Sequence, residues 1–494
     1  MLRVYMTHPR SVNLISSRAK LRRIGLRFWH SPTLTTWGSL STRLLGFSVL
    51  LPLILNRLPV AEASLWLLFS TVVGLLTLAD FGFAPTFTRA VAYANASSNI
   101  DAQQLDTTSN IKISINASPS ITLIPVIHTM RYIYDRVGIL ALLLASTLGS
   151  LAMIRPISQM IDPTQGWLAW VAIVVGVASS LRGGMFGAYL QGSENISIYR
   201  RWEILIGTLS LATTLIVLLM GYGLLGLVLT TQAGILSNVI INRWLAIQLA
   251  PTDAWTKRVR LDSAVLSNIW SPAWRSGLGV LMTSGSIHGA SVIYAQIAPP
   301  SHVAAYLLAQ RIMQTLTSFA NVPFYTRIPT LARLYAQGQI HTIIRIAKIG
   351  MQRANWLLVI SIIAINFGAI FLLKIVGSKV AFIDNDVWLL MGLAFLFERI
   401  GAMHLQLYSI TNCIVWHIAN GVAGLIILVA IPISYNMFGI IGLPMGILMA
   451  YGFFYVPYSI KHSYQTFHLK LSTMDTAASI LPVGVLLVIL LITR

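Results

Sequence analysis

Leu78-Ala79-Asp80-Phe81-Gly82-Phe83-Ala84-Pro85 interrupts one long apolar stretch, and Ala320-Asn321-Val322-Pro323-Phe324 interrupts another at the equivalent place, with Asn321 standing 241 positions after Asp80 (321 − 80). In each copy a small polar residue ends an apolar run beside helix-breaking residues: Gly82 and Pro85 in the first, Pro323 in the second. The same register pairs Pro59 with Pro300, Ala63 with Ala304, Leu67 with Leu308 and Leu75 with Leu316, and a shift of one residue pairs Tyr93-Ala94 with Tyr335-Ala336. Each copy starts in a Pro-containing turn, crosses an apolar span and ends in a basic amphipathic tail. A chain duplicated in this way folds as two similar bundles, an arrangement that places a substrate site at the interface between the repeats.

Composition requires that the bundles sit in lipid. Hydrophobic residues make up 56% of the 494 and charged residues only 10%, and mean hydropathy is +0.75, so a polar surface large enough for a soluble domain is missing. Apolar runs of about 20 residues predict helices near 34–56, 61–80, 137–154, 167–189, 203–220 and 223–248. After a polar break they continue at 276–297, 302–322, 354–376, 387–409, 411–433, 437–458 and 476–493. The expected fold is therefore an all-α polytopic membrane protein of two pseudo-symmetric six-helix bundles plus an extra C-terminal helix. Its expected divisions are a basic N-terminal segment 1–33, a bundle 34–248, a linker 249–270, a bundle 271–460, and a linker with the extra helix 461–494.

Charge predicts the orientation. With the N-terminus cytoplasmic, about 25 of the 34 Lys and Arg residues fall in inside segments and about five outside, as the positive-inside bias requires. The net charge of +20 is then explained by topology and by contact with anionic membrane lipids, and no nucleic acid partner is needed. The acid-free, Arg- and Ser-containing segment 1–33 reads as a lead helix on the inner leaflet, with an organelle transit peptide as the other reading of that composition. Residues 96–130, rich in Ser, Asn, Thr and Ile, read as a disordered or partly amphipathic inside loop. The sequons at Asn95, Asn116 and Asn195 also fall inside. The single cysteine, Cys413, excludes a disulfide within one chain. Outside loops are short, the longest holding Lys374, Lys379, Asp384 and Asp386, so the chemistry is expected within the bilayer.

Few ionisable residues lie there: Arg43, Asp80, Arg182, Arg311, Glu398 and Arg399. A central Arg costs about 2.5–3.5 kcal/mol on insertion scales, so such a residue faces a wet cavity, a partner or an anionic ligand unless it snorkels to the headgroups. Arg311 lies about nine residues, roughly 14 Å, into its span. Gln310 and Gln314 flank it, and Gln314 shares its face. Gln191, Gln232, Asn238 and Asn242 add amides suited to a hydroxyl-rich, anionic solute. Asp80 reads either as a cap or as an ion-coupling site. Glu398, the one acid near the middle of a span, reads either as a proton or cation site or as half of a structural ion pair. Adjacent on a helix, Glu398 and Arg399 are expected to diverge by about 100° and to find separate partners. Trp37, Trp66, Trp167, Trp170 and Trp388 read as interface anchors, and His288 and His302 find no role.

The run Trp66 to Tyr93, with its Leu-Ala-Asp-Phe-Gly-Phe-Ala-Pro-Thr-Phe-Thr-Arg-Ala-Val-Ala-Tyr core, resembles the second-helix region of Wzx-type polysaccharide and O-antigen flippases. These belong to the multidrug/oligosaccharidyl-lipid/polysaccharide (MOP) exporter superfamily. Gly183-Gly184-Met185-Phe186-Gly187-Ala188-Tyr189-Leu190-Gln191-Gly192 resembles the end of the fourth helix of those proteins. The resemblance implies two bundles around a V-shaped cavity in a bacterial inner membrane, with alternating access carrying a polyprenyl-pyrophosphate-linked oligosaccharide between leaflets. It implies further polysaccharide assembly proteins as partners, and no covalent chemistry, cofactor or metal. It also places cavity arginines on the first and eighth helices, where this chain has Arg43 and Arg311. The 96–130 segment and the thirteenth span depart from the usual twelve-helix pattern.

The expected substrate-binding residues are thus Arg43, Arg182, Gln310, Arg311 and Gln314, and the expected ion-coupling residues are Asp80 and Glu398. An ion-coupled multidrug or small-molecule exporter of the same fold would favour acids over arginines in the cavity. A membrane glycosyltransferase or polymerase acting on polyprenyl sugars would need acids or histidines at the outer face, where Asp384 and Asp386 stand almost alone. A scaffold without transport gives no reason to bury arginines.

Overall fold

The computed structural model describes residues 46, 48–104, 123–193, 195–250, 254–255, 263–411, 415–468 and 476–493. The segment 1–33, Arg43, Asn116, Cys413 and the middle of 96–130 lie outside the described residues. Those that are described form helices and turns, with no strand among them.

The first half comprises α1 (Ser48–Arg57), α2 (Val60–Thr77), α3 (Phe83–Gln104), α4 (Leu123–Ser158), α5 (Pro163–Gly192), α6 (Ile196–Leu219) and α7 (Gly223–Leu249). The second comprises α8 (Ser263–Ile297), α9 (Pro300–Ala320), α10 (Ile340–Val376), α11 (Asn385–Ser409), α12 (Trp416–Phe438) and α13, which runs from Gly442 to Phe467 through a π turn at Tyr451–Tyr455. Two short helices, Val322–Tyr325 and Ile328–Ala336, precede α10. An extra helix, α14 (Ala477–Ile492), follows the second half. Among the described residues, nine helical spans are long and apolar enough to cross a membrane; α1, α3, α9 and α14 are shorter or more polar, and the last of the nine, Trp416–Phe467, contains both α12 and α13.

The decisive break is made by backbone geometry. Pro59, extended at φ −56° and ψ 152°, sets the start of α2. The helix tightens into a 3₁₀ turn at Leu78–Asp80 and is stopped by Phe81 and Gly82, both left-handed at φ 47° and 73°. A left-handed Phe is uncommon and must be held by its surroundings. Gly277 of α8 supplies that hold, because any side-chain carbon there would overlap Phe81. Beyond the break Asp80 caps α3, its Oδ2 accepting from the Ala84 amide at 3.2 Å. In the second copy Asn321 stays right-handed, at φ −70° and ψ −28°, and the chain continues directly into Val322–Tyr325.

Two expectations need correction. The 96–130 segment is helical at both ends, since α3 continues to Gln104 and α4 begins at Leu123. The cause is an apolar stripe, Phe83, Phe87, Val91 and Ala94, buried at helical spacing and carried against α5, where Gly192 meets Thr88 and Val91. Likewise the 249–270 segment is helical from Ser263, the start of the 35-residue α8. Trp255 docks that connection onto the first bundle: its Nε1 donates to the Ala246 carbonyl at 3.0 Å, its carbonyl accepts from Arg131 at 2.5 Å, and its ring packs 5.1 Å from Phe186.

Helices α3 to α7 pack chiefly on one another around α5, and α8, α12, α13 and α11 do so in the second half. Helix α14 lies against α10 and α11, where Asn355 Nδ2 donates to the Ala478 carbonyl at 2.6 Å and Trp356 Nε1 to that of Ala477 at 3.2 Å. The bundles meet along α2, α8 and α9. One end of the molecule carries Arg131, Arg136, Arg200, Arg201, Arg333, Arg345 and Lys348, and is called here the basic end; the other is the short-loop end. At the short-loop end the bundles are tied together. Asn56 Nδ2 donates to the carbonyls of Val376 at 2.8 Å and Gly377 at 3.1 Å, the Lys379 amide donates to Leu55 O at 2.8 Å, and Lys379 Nζ donates to Arg57 O at 3.0 Å. Arg155 donates to the Gln296 carbonyl, and Gln296 Nε2 donates to Ala152 O at 2.7 Å.

Candidate substrate-binding site between the bundles

Helix α9 carries its polarity on one face. Arg311, Gln314, Thr315 and Ser318 follow the i, i+3, i+4, i+7 pattern of a single stripe. Arg311 stands exposed eleven residues past Pro300, roughly 16 Å along the helix, close to half the thickness of a bilayer core of about 30 Å. Thr315 and Ser318 return their hydroxyl protons to the helix, to Arg311 O at 2.9 Å and Gln314 O at 2.8 Å, leaving oxygen lone pairs outward. Among the described residues the Arg311 guanidinium has neither hydrogen bond nor ion pair.

The stripe lies beside the seam between the bundles. His288 of α8 lies within electrostatic range of Arg311 and also touches α2, where a side-chain carbon on Gly74 would stand 3.1 Å from its Nε2. The Nδ1 of His288 lies 2.7 Å from the Ser284 carbonyl, which can only accept, so Nδ1 carries the proton and Nε2 of the neutral ring is an acceptor. Across from them α2 presents Ser70, Gly74 and Thr77 at the same helical spacing, and none is fully buried. The result is a mid-depth polar strip along the seam of α2, α8 and α9, with an unpaired cation, an imidazole, an amide and several hydroxyls.

The other sequence-predicted residues are placed differently. Gln310 is 4% exposed and turned into the second bundle, where its Oε1 accepts from Ser291 at 3.1 Å. Arg182 pairs with Asp135 of α4 at 2.7 Å within the first bundle. Asp80 has both oxygens engaged, Oδ1 accepting from Tyr134 at 2.9 Å and Oδ2 from the α3 cap. Glu398 and Arg399 pair with each other at 3.1 Å, against the expected divergence, because the long Arg side chain folds back across the helix surface. Arg399 also donates to Asn321 Oδ1 and lies 5.5 Å from the Tyr325 ring. Arg43 lies outside the described residues.

An open cavity of about 590 Å³ lies among the helices of the first bundle. Gln191, Asn238 and Asn242 line it together with Glu203, an acid the sequence reading passed over. The Asn242 amide donates to Asn238 at 2.6 Å, and Glu203 pairs with Arg200 at 2.5 Å. The Gly183–Gly187 part of the fourth-helix motif forms one wall, where a side-chain carbon on Gly183 would come within 2.7 Å of Val239. No group of three or more His, Cys, Asp or Glu able to hold a metal occurs among the described residues.

Two α-helical bundles joined along α2, α8 and α9, with nine spans among the described residues long and apolar enough to cross a membrane, define a polytopic membrane protein. No family model and no curated protein matches the chain by sequence. Solved structures match it closely in shape. An inward-facing multidrug resistance MATE family transporter of the MOP superfamily superposes with a TM-score of 0.64 at 12% identity, over 86% of this chain and 94% of that one. The lipid II flippase MurJ in an inward closed conformation gives 0.62 at 12% identity, over 93% of each chain. An outward-facing multidrug resistance MATE family transporter gives 0.54 at 11% identity, over 91% and 98%.

Proposed function

We propose that this chain is a transporter that moves a polyprenyl-pyrophosphate-linked oligosaccharide across the membrane by alternating access, as a Wzx-type flippase for polysaccharide export. The observation that carries the proposal is Arg311, an unpaired guanidinium at mid-depth beside the seam between the bundles, where the proposal places the substrate chamber. Holding a bare guanidinium there is costly, and a diphosphate would repay that cost through bidentate, charge-assisted hydrogen bonds. His288, Gln314, Thr315 and Ser318 add donors and acceptors suited to sugar hydroxyls and phosphate oxygens. Arg43, on the first helix, is the second proposed anion ligand, and Glu398 and Asp80 remain the proposed coupling residues.

Alternating access breaks the ties at the short-loop end and closes the basic end. With the basic end in the cytoplasm of a bacterial cell, the chamber loads from the inner leaflet. One of the similar folds belongs to a lipid II flippase and others to multidrug transporters, so the fold is compatible with either cargo. The acid-containing cavity of the first bundle supports the second reading, a small-cation exporter. Binding separates the two: the purified chain should be stabilised against heat by a polyprenyl-diphosphate oligosaccharide, and this should be lost in Arg311→Ala. Stabilisation by a lipophilic cation, with none by the diphosphate, would favour the exporter.

A further inference from the structure

The seam between the bundles holds a second feature near the basic end, separate from the chamber. Helices α4 and α8 both start at that end, and each turns a stripe of i, i+4, i+8 residues toward the other: Tyr132, Arg136 and Leu140 on α4, Leu266, Trp270 and Trp274 on α8. Between them lies an apolar groove of about 700 Å³ lined also by Phe81 and Phe83, at the break between α2 and α3. The Phe83 and Trp270 rings, 5.9 Å apart, close one side. Trp270 and Trp274 are 55% and 40% exposed, so their faces open outward to the membrane.

Charge identifies the occupant. Arg136 is the one charged side chain among the described lining residues, and it is exposed. Its guanidinium lies 3.3 Å from the Tyr132 ring centroid, with Nη1 donating to the Tyr132 carbonyl at 3.2 Å, which fixes it at the groove and leaves its remaining N–H groups free to bind. The nearest acid on that helix, Asp135, is committed to Arg182. An aromatic slot in the acyl region with one held cation fits a molecule with an apolar chain and an anionic phosphate head.

We infer that this groove binds an anionic glycerophospholipid of the inner leaflet, one acyl chain between the two stripes and the phosphate on Arg136. The lipid would touch both bundles and the left-handed Phe81 at once. It would therefore favour one spacing of the bundles at the basic end, and anionic lipid would set the conformational balance of the protein. The inference does not depend on what the chamber carries.

Quenching by brominated lipids tests it in the full chain reconstituted into phosphatidylcholine vesicles. Brominated phosphatidylglycerol should quench the fluorescence that is lost in Trp270→Phe/Trp274→Phe with an apparent preference of about fivefold over brominated phosphatidylcholine, the size expected from one basic side chain at the surface. Arg136→Gln should abolish that preference and Arg136→Lys should keep part of it, with the folded state of each variant checked by its size-exclusion profile. Equal quenching by the two lipids, or a preference unchanged in Arg136→Gln, would overturn the site. So would displacement of the quencher by polyprenyl phosphate but not by unbrominated phosphatidylglycerol, because the groove would then be a seat for the tail of the cargo.

Discussion

Gly74 and His288 touch across the bundle interface, with room between α2 and α8 for a hydrogen on Gly74 and for little else: a side-chain carbon would lie 3.1 Å from the imidazole Nε2. The contact sits at the depth of Arg311 and fixes how closely the bundles approach. Gly74→Leu forces them apart or displaces the ring, at an overpacking cost of about 1–3 kcal/mol, and should lower the transport rate roughly tenfold or more. Gly74→Leu combined with His288→Ala should recover part of that loss, because the second change vacates the space the first one fills. A double variant no better than the single would show that the contact does not limit movement.

Under the proposed alternating access, the ties at the short-loop end open in each cycle. A short thiol cross-linker joining Asn56→Cys and Lys379→Cys in a Cys413→Ser background should stop transport, while leaving either single-cysteine variant active under the same treatment. Transport that continues with the link intact would contradict alternating access through this end.

Arg399 is 6% exposed in its side chain and is held by Glu398, Asn321 and the Tyr325 ring. Removing it strands a carboxylate that is itself only 26% exposed, and breaking a buried pair from one side costs about 3–5 kcal/mol. Arg399→Ala should therefore lower the thermal midpoint of the purified protein by several degrees. Arg399→Met with Glu398→Gln should be far milder, and equal losses in both variants would locate the cost in packing.

Much of the architecture was readable because it follows from length and period alone. The spans, the duplicated break at Asp80 and Asn321, and the extra C-terminal helix come from apolar runs and helix-breaking residues. Ends were lost where polarity and helix part company: α3 carries its Ser- and Asn-rich tail as helix because Phe87 and Val91 anchor it, and α8 starts at Ser263 ahead of its apolar stretch. Pairings of side chains were the least legible. Asp135 is 47 positions from Arg182, and no local spacing joins them. Gln310 and Gln314 look alike in sequence, yet one turns to Ser291 and the other stays on the stripe of Arg311. The adjacent Glu398 and Arg399 meet because a long side chain can outreach the angle between two neighbours. His288 had a signal, a lone imidazole four residues after Ser284 in an apolar span, but its partner Gly74 lies in the other half of the chain.

The proposed orientation puts the basic end in the cytoplasm. With Cys413→Ser, a membrane-impermeant thiol reagent added to intact cells should label Asp384→Cys and should reach Gln337→Cys only after the membrane is opened. The reverse pattern would invert the direction of transport.

The most direct measurement is the flipping of a fluorescent polyprenyl-diphosphate oligosaccharide in vesicles containing the purified chain or its Arg311 variants. A guanidinium that binds the diphosphate in a fixed fork predicts transport by the native chain, near-complete loss in Arg311→Ala at equal reconstitution, and partial recovery in Arg311→Lys, whose ammonium keeps charge without the fork. Native rates in Arg311→Ala would contradict the account.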